Sequence, residues 1–181
     1  MHRKHVFMLC ATSIVALFVI AAPIARGGDD DKCVSQKSAA TSKAQPALEK
    51  LKTLAGEWVF ADGENKGKLA VVYTVSSGGT AVVERLFPGS DHEMTTVFHV
   101  DGDRLMMTHY CAVGNQPRMH AEPATDRLAF AFTGGSNIAA GDGHMSAMTL
   151  TFVDDDHFNE QWTFKGAGDG HSSTFRFERK K

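Results

Sequence analysis

The chain has 181 residues, enough for one domain with appendages, and a formal net charge of −2. That balance supplies no basic surface for a nucleic-acid partner. Seventeen glycines against five prolines suit a chain with many tight turns between strands.

Met1-His2-Arg3-Lys4-His5 is a short basic start, and Val6 to Ala25 is almost wholly apolar. This pattern predicts a secretory signal over residues 1–25, with cleavage after Ala25, Ala22 or Ala21. The stretch is also long enough to serve as an uncleaved anchor, which would be the chain's sole contact with a membrane. In either case Arg3 and Lys4 hold the N-terminus inside, and the domain is exported, periplasmic or extracellular. Cys10 follows Phe7-Met8-Leu9, which lacks the small residue a lipidation site places before its cysteine. Residues 26–45 are small and polar, and read as a disordered linker, because they cannot bury enough surface to offset their ordering entropy.

The folded domain is expected over residues 46–181. Pro46 to Leu54 predicts a short helix, with Pro in its first turn and Leu48, Leu51 and Leu54 forming one apolar stripe. A helix this short needs a surface to cap. From Glu57 onward the pattern changes to runs rich in Val, Thr, Phe and Met: 57–61, 67–76, 80–87, 92–100, 103–113, 117–122, 127–133, 145–153, 157–165 and 172–179. Gly78-Gly79, Asp101-Gly102, Gly134-Gly135 and Gly168-Asp169-Gly170 read as turns, with Asp-Gly the strongest hairpin signal. About ten short strands without intervening helices predict a sandwich or a barrel. The run Leu54-Ala55-Gly56-Glu57-Trp58 decides for the barrel. A short helix followed by Gly-x-Trp on the first strand resembles the opening of lipocalins. The expected fold is therefore an all-β, antiparallel, lipocalin-like (calycin-type) barrel of about ten strands with a short N-terminal capping helix.

If Asp101-Gly102 is the turn, Val100 pairs with Asp103, Phe98 with Leu105 and Met94 with His109. Alternation then places His92, Met94, Thr96, Phe98, Leu105, Met107, His109 and Cys111 on one face, taken as the inner one. His109 and Cys111, two apart on a strand, point the same way. With His92 opposite, they would bind Zn or Cu, or activate a thiolate nucleophile. The bland alternatives are a small buried hydrophobe or a disulfide between Cys111 and Cys33. No metal site is assigned, and no cofactor is identified. Asn115, Gln116 and Arg118 follow in a turn that offers two amides and a rigid guanidinium. Asn137 and His144 lie in the longest internal loop, the usual place for a lid or binding loop. These eight residues are the candidate ligand-binding set: His92, His109, Cys111, Asn115, Gln116, Arg118, Asn137 and His144.

The runs His92-Glu93-Met94-Thr95-Thr96, Thr108-His109-Tyr110-Cys111 and Gly114-Asn115-Gln116-Pro117-Arg118-Met119 resemble a family of uncharacterised exported bacterial proteins. Gly134-Gly135 with Asn137, Asp142-Gly143-His144-Met145 and Asp155-Asp156-His157 with Trp162 match later parts of the same pattern. The family is a domain of unknown function with a lipocalin-like barrel, so the resemblance implies a fold and a site position without an activity. Ser146 stands where that pattern would have a second histidine. The Gly-x-Trp opening is also similar to haem-binding ten-stranded barrels such as nitrobindin, and that similarity would make His171 the haem ligand. The leading expectation is an exported binding module. Met94, Phe98, Met107, Phe130 and Phe132 would line it for a small, partly apolar molecule, and His109 and Arg118 would donate to that ligand's polar group. A Cys/His-dependent or metal-dependent enzyme, a haem-binding barrel and a filled-barrel scaffold are the alternatives.

Overall fold

The computed structural model describes residues 42–122, 124–166 and 170–181. The expected signal segment, Cys33, most of the linker and the centre of the expected 168–170 turn lie outside the described residues. One helix, α1 (Gln45–Lys52), precedes ten strands. These are β1 (Gly56–Phe60), β2 (Leu69–Ser76), β3 (Ala81–Leu86), β4 (Met94–Asp101), β5 (Arg104–Tyr110), β6 (Gln116–Ala121), β7 (Arg127–Ser136), β8 (His144–Phe152), β9 (His157–Lys165) and β10 (His171–Arg179). Each strand pairs antiparallel with its sequence neighbours, and β10 returns to pair with β1, closing the barrel. Closure leaves no exposed edge along the ladder. Each strand predicted from the sequence is present, and so is the helix.

The two ends of the barrel differ. At one end α1 covers the openings of β2 to β5 with Ala47, Leu48 and Leu51 buried beneath it. Leu54 continues the same apolar stripe. Ser42 to Ala44, assigned by the sequence to the linker, already belong to this cap. Ser42 Oγ donates to the Gly102 carbonyl at 2.6 Å, and the Lys43 N–H donates to Asp103 Oδ1 at 3.1 Å. Trp58 lies directly below, fully buried, and its Nε1–H donates to the Leu54 carbonyl at 2.7 Å. Phe158 meets the indole edge-on at 4.7 Å between ring centres. The Arg179 guanidinium covers its other side at 4.1 Å while donating to the carbonyls of Thr53 and Ala55. The cation thus ties the last strand to the helix exit and to the ring beneath it. Phe98, Leu105, Met107, Met119, Leu128, Phe130, Leu150 and Phe177 fill this half of the interior.

The other end is a mouth formed by the loops 61–68, 87–93, 111–115 and 137–143, with Gly166 after β9 and Gly170 before β10. Two turn predictions, one at each end, need correction. The β4–β5 loop is Gly102-Asp103, with Asp101 paired to Arg104, so Val100 faces Leu105, Phe98 faces Met107 and Thr96 faces His109. Gly102 at φ 56° supplies the positive φ that the first residue of such a two-residue loop requires. The expected pairing was two residues out of register, and a slip of two preserves the face of every side chain. Met94, Thr96, Phe98, Leu105, Met107 and His109 accordingly do face inward. Gly134-Gly135, expected as a turn, instead continues β7, paired with Arg118 and Pro117 beyond a bulge at Thr133 of β7. Beyond Ala131, β7 parts from β8 while staying on β6. Phe132, expected in the interior, sits at that parting, exposed and against His144 at 4.5 Å between ring centres.

Trp58→Ala should destabilise the fold by about 3–5 kcal/mol, the usual cost of emptying a buried aromatic site. Denaturant unfolding followed by circular dichroism measures it, and a near-neutral result would contradict the helix-capped end.

Candidate functional site

A belt of polar side chains crosses the interior between the filled half and the mouth. It begins with Glu84 in mid-β3, between Val82 and Leu86 on the inner face, and Glu160 in β9, between Phe158 and Trp162. Both glutamates are fully buried. Tyr73 of β2 joins them, its Oη 2.9 Å from Glu84 Oε1 and 2.6 Å from Glu160 Oε1. A phenol has one proton to donate. The second contact is a hydrogen bond only when a carboxyl donates to the phenol oxygen, so at least one glutamate carries a proton. Trp162 Nε1–H, which can only donate, is 3.0 Å from Glu160 Oε2. Glu160 is thus well supplied with donors, and the proton belongs on Glu84. Burial, with the negative charge of Glu160 beside it, pushes the Glu84 carboxyl well above its ordinary range. Burial also raises Glu160, opposed by hydrogen bonds from Glu84, Tyr73 and Trp162. Burial and the two neighbouring carboxyls raise Tyr73 far above a free phenol, so it stays protonated.

The belt continues across the sheet from Glu84 to its ladder neighbour Thr96, and from Thr96 to His109. Thr96 Oγ1 is 2.9 Å from His109 Nδ1. The ring of His109 lies against Trp162 at 4.5 Å between centres. It has no exposed surface, and its Nε2 has no hydrogen-bond partner. Desolvation lowers its pKa to about 4, so the imidazole is neutral at physiological pH.

His109 and Trp162 form the floor of a cavity of about 140 Å³ walled by Leu86, Phe87, Met94, Met145, Phe164 and Phe175, with His171 and Ser173 also on its lining. The cavity widens into a vestibule of about 880 Å³ at the mouth, sharing Met94, Met145, Phe164, His171 and Phe175 and adding Lys68, His92, Cys111 and Val113. An apolar chamber with one buried polar atom at its base is the usual form of a small-molecule site.

The eight candidates from the sequence fall into four places. His109 is the floor. His92 does not stand opposite it on β4. It is exposed in the loop before that strand, on the vestibule wall. Cys111, 8% exposed, is also on the vestibule wall, and its thiol contacts Met94 Sδ at 3.9 Å rather than an imidazole.

Asn115, Gln116, Asn137 and His144 bind the mouth loops together. Asn115 Nδ2 donates to the Gly143 carbonyl at 2.8 Å, and Asn137 Nδ2 donates to Gln116 Oε1 at 3.0 Å. His144 Nδ1 lies 2.9 Å from the Asp142 carbonyl. Gly143 must lack a side chain, since a Cβ there would stand 2.5 Å from the Phe164 ring of the cavity wall. Arg118 is exposed on the outer wall, between the inward Pro117 and Met119, and lines neither chamber. It therefore cannot donate to a ligand inside, as the sequence reading expected. Among the described residues, no three His, Cys, Asp or Glu side chains converge as a metal site. No protein-family model and no curated protein sequence matches the chain.

The belt makes a two-sided prediction for stability against pH. The folded pKa of His109 is depressed from 6.5 to about 4. Its contribution, about 3 kcal/mol, is therefore present above pH 6.5 and lost as pH falls through about 4. The folded pKa of Glu84 is raised from 4.5. Its contribution is complete below pH 4.5 and is lost as pH rises through the folded value. Glu84→Gln, which keeps a neutral hydrogen-bonding group, should flatten the high-pH decline and leave the acid limb intact. Chemical denaturation across pH checks this, and an unchanged high-pH limb would show that Glu84 is ionised in the native protein.

Proposed function

We propose that this protein is an exported small-molecule-binding barrel, in keeping with the exported family its sequence resembles. Its occupant enters the mouth, rests its apolar part against Met94, Met145, Phe164 and Phe175, and turns one polar group to His109 Nε2. The observation that carries this reading is His109 in the wall of an apolar chamber, buried and with its Nε2 unpartnered. A buried polar atom without a partner costs on the order of 1–3 kcal/mol. A ligand that satisfies it recovers that penalty and also removes apolar wall area from water. The small inner chamber suits a fragment such as a phenol, a short amide or a small carbonyl compound, with any larger portion held in the vestibule.

The belt behind His109 gives the site its selectivity. With His109 Nδ1–H donating to Thr96 Oγ1, 2.9 Å away, the neutral ring holds its one proton on the side of the belt. Nε2 then presents a lone pair, which favours a ligand that donates. The neutral ring also makes a carboxylate ligand unfavourable, since no Lys or Arg lines the inner chamber.

Trp162 beside His109 supplies the test. Trp58 and Trp162 are the two tryptophans of the chain, so a Trp58→Phe background leaves Trp162 as the sole indole reporter. Titration with small phenols and amides should change Trp162 emission saturably, and His109→Phe should weaken the effect by tenfold or more, about 1.4 kcal/mol. Arg118→Ala should leave it unchanged. Equal binding by the His109→Phe protein, at unaltered stability, would refute the assignment of His109 as the recognition group.

A further inference from the structure

The lining of the two chambers changes in kind from floor to mouth. On β10, alternation turns Phe177, Phe175, Ser173 and His171 to the inner face in succession. In the ladder with β9, Ser173 stands opposite Trp162 and His171 opposite Phe164. Trp162 is the ring that His109 lies against at 4.5 Å. His171 is therefore one inward step, two residues or about 7 Å, nearer the mouth than the floor. Lys68 and His92 join it on the vestibule lining, all three exposed. The Lys68 ammonium donates to the neutral Asn65 Oδ1 at 3.0 Å rather than to a carboxylate.

Acidic residues outnumber basic ones in the chain, 21 to 19, yet no Asp or Glu lines either chamber. Two acids of the mouth loops have other partners. Asp62 pairs with Arg176 at 2.9 Å, and Glu93 accepts from the Gly89 N–H at 2.6 Å. From the floor outward the site offers a neutral imidazole, an apolar middle of Met94, Met145, Phe164 and Phe175, and a rim with positive charge.

We propose that the occupant is an aromatic carboxylic acid, with a hydrogen-bond donor on its ring directed to His109 and its carboxylate held at the mouth by Lys68, His92 and His171. This rests on the binding reading above and adds the class and orientation of the ligand. An apolar cavity of about 150 Å³ accepts one benzene ring, and the inner chamber measures about 140 Å³. A ring with a short acidic side chain opposite its donor spans the step from floor to rim. Desolvation fixes which end goes in. A carboxylate in the inner chamber would lose its water with no Lys or Arg beside it. At the exposed rim it keeps part of its hydration, meets the Lys68 charge and accepts from imidazole N–H groups, which both protonation states provide. An organic cation finds no carboxylate in either lining.

The test titrates the full chain carrying Trp58→Phe, with Trp162 emission as the readout. Three compounds separate the two ends: 3-(4-hydroxyphenyl)propanoate, 4-ethylphenol, which lacks the carboxylate, and 3-phenylpropanoate, which lacks the donor. The hydroxy acid should bind about tenfold more tightly than 4-ethylphenol at low ionic strength. That advantage should largely vanish in about 1 M salt, where exposed charges are screened. Lys68→Gln should reduce it to about threefold or less. Equal affinity of the hydroxy acid and 4-ethylphenol would overturn the proposal and leave the binding reading standing. So would an advantage that survives salt and the combined Lys68→Gln, His92→Gln and His171→Gln substitutions. Equal affinity of 3-phenylpropanoate and the hydroxy acid would overturn the donor end. If none of the three compounds alters Trp162 emission, both readings fall.

Discussion

The hydrogen-bonded contact of Tyr73 with two buried glutamates is the constraint around which this barrel is organised. Ionising both carboxyls inside an apolar barrel would cost several kcal/mol per charge. A shared proton and a bridging phenol avoid that cost, and Trp162 satisfies the remaining oxygen of Glu160. The arrangement works only if β2, β3 and β9 keep their register, because a slip of one residue would send Glu84 or Glu160 to solvent. The belt therefore specifies the strand alignment as well as the chemistry of the interior. His109 lies beside it, its Nδ1 2.9 Å from Thr96 Oγ1, and is held neutral by its burial.

The two ends of the barrel divide the labour. The capped end is packed solid: α1 covers it, Trp58 fills it and Arg179 fastens the last strand to the helix exit. That solidity holds the far ends of β4, β5 and β9 in place, and these strands carry Thr96, His109 and Trp162. At the mouth, β7 separates from β8, and side-chain amides and the tilted contact of Phe132 with His144 tie the loops. Opening there costs little compared with opening the cap, since few buried apolar contacts are involved. A rigid floor under a lightly braced mouth is what the proposed entry of a ligand requires.

Most of the fold was legible in the sequence. The runs of Val, Thr, Phe and Met between turn residues marked all ten strands, and Leu48, Leu51 and Leu54 marked the helix and its buried face. The inner face of β4 and β5 survived the misplaced turn because side-chain alternation tolerates a shift of two. The site was only partly legible. Alternation in Val82-Val83-Glu84-Arg85-Leu86 and Phe158-Asn159-Glu160-Gln161-Trp162 does put both glutamates on the apolar face. Charged residues usually belong to solvent, and what brings these two inside is a tyrosine 11 residues from one and 87 from the other. The same alternation around Met119 and Ala121 would have turned Arg118 outward. Asn115, Gln116 and Asn137 could not be resolved from the sequence, because their partners lie across loops whose closure is a property of the whole barrel.

The central claim is that His109 is a neutral, oriented recognition group whose Nε2 faces the chamber. Nitrogen-15 NMR of the histidine ring, followed with pH and with addition of a phenol that alters Trp162 emission, tests it most directly. The account predicts a neutral ring down to about pH 4, with Nδ1 held on Thr96 and the Nε2 resonance shifting as the chamber fills. Titration of His109 near pH 6.5, or an Nε2 signal indifferent to a ligand that Trp162 registers, would contradict it.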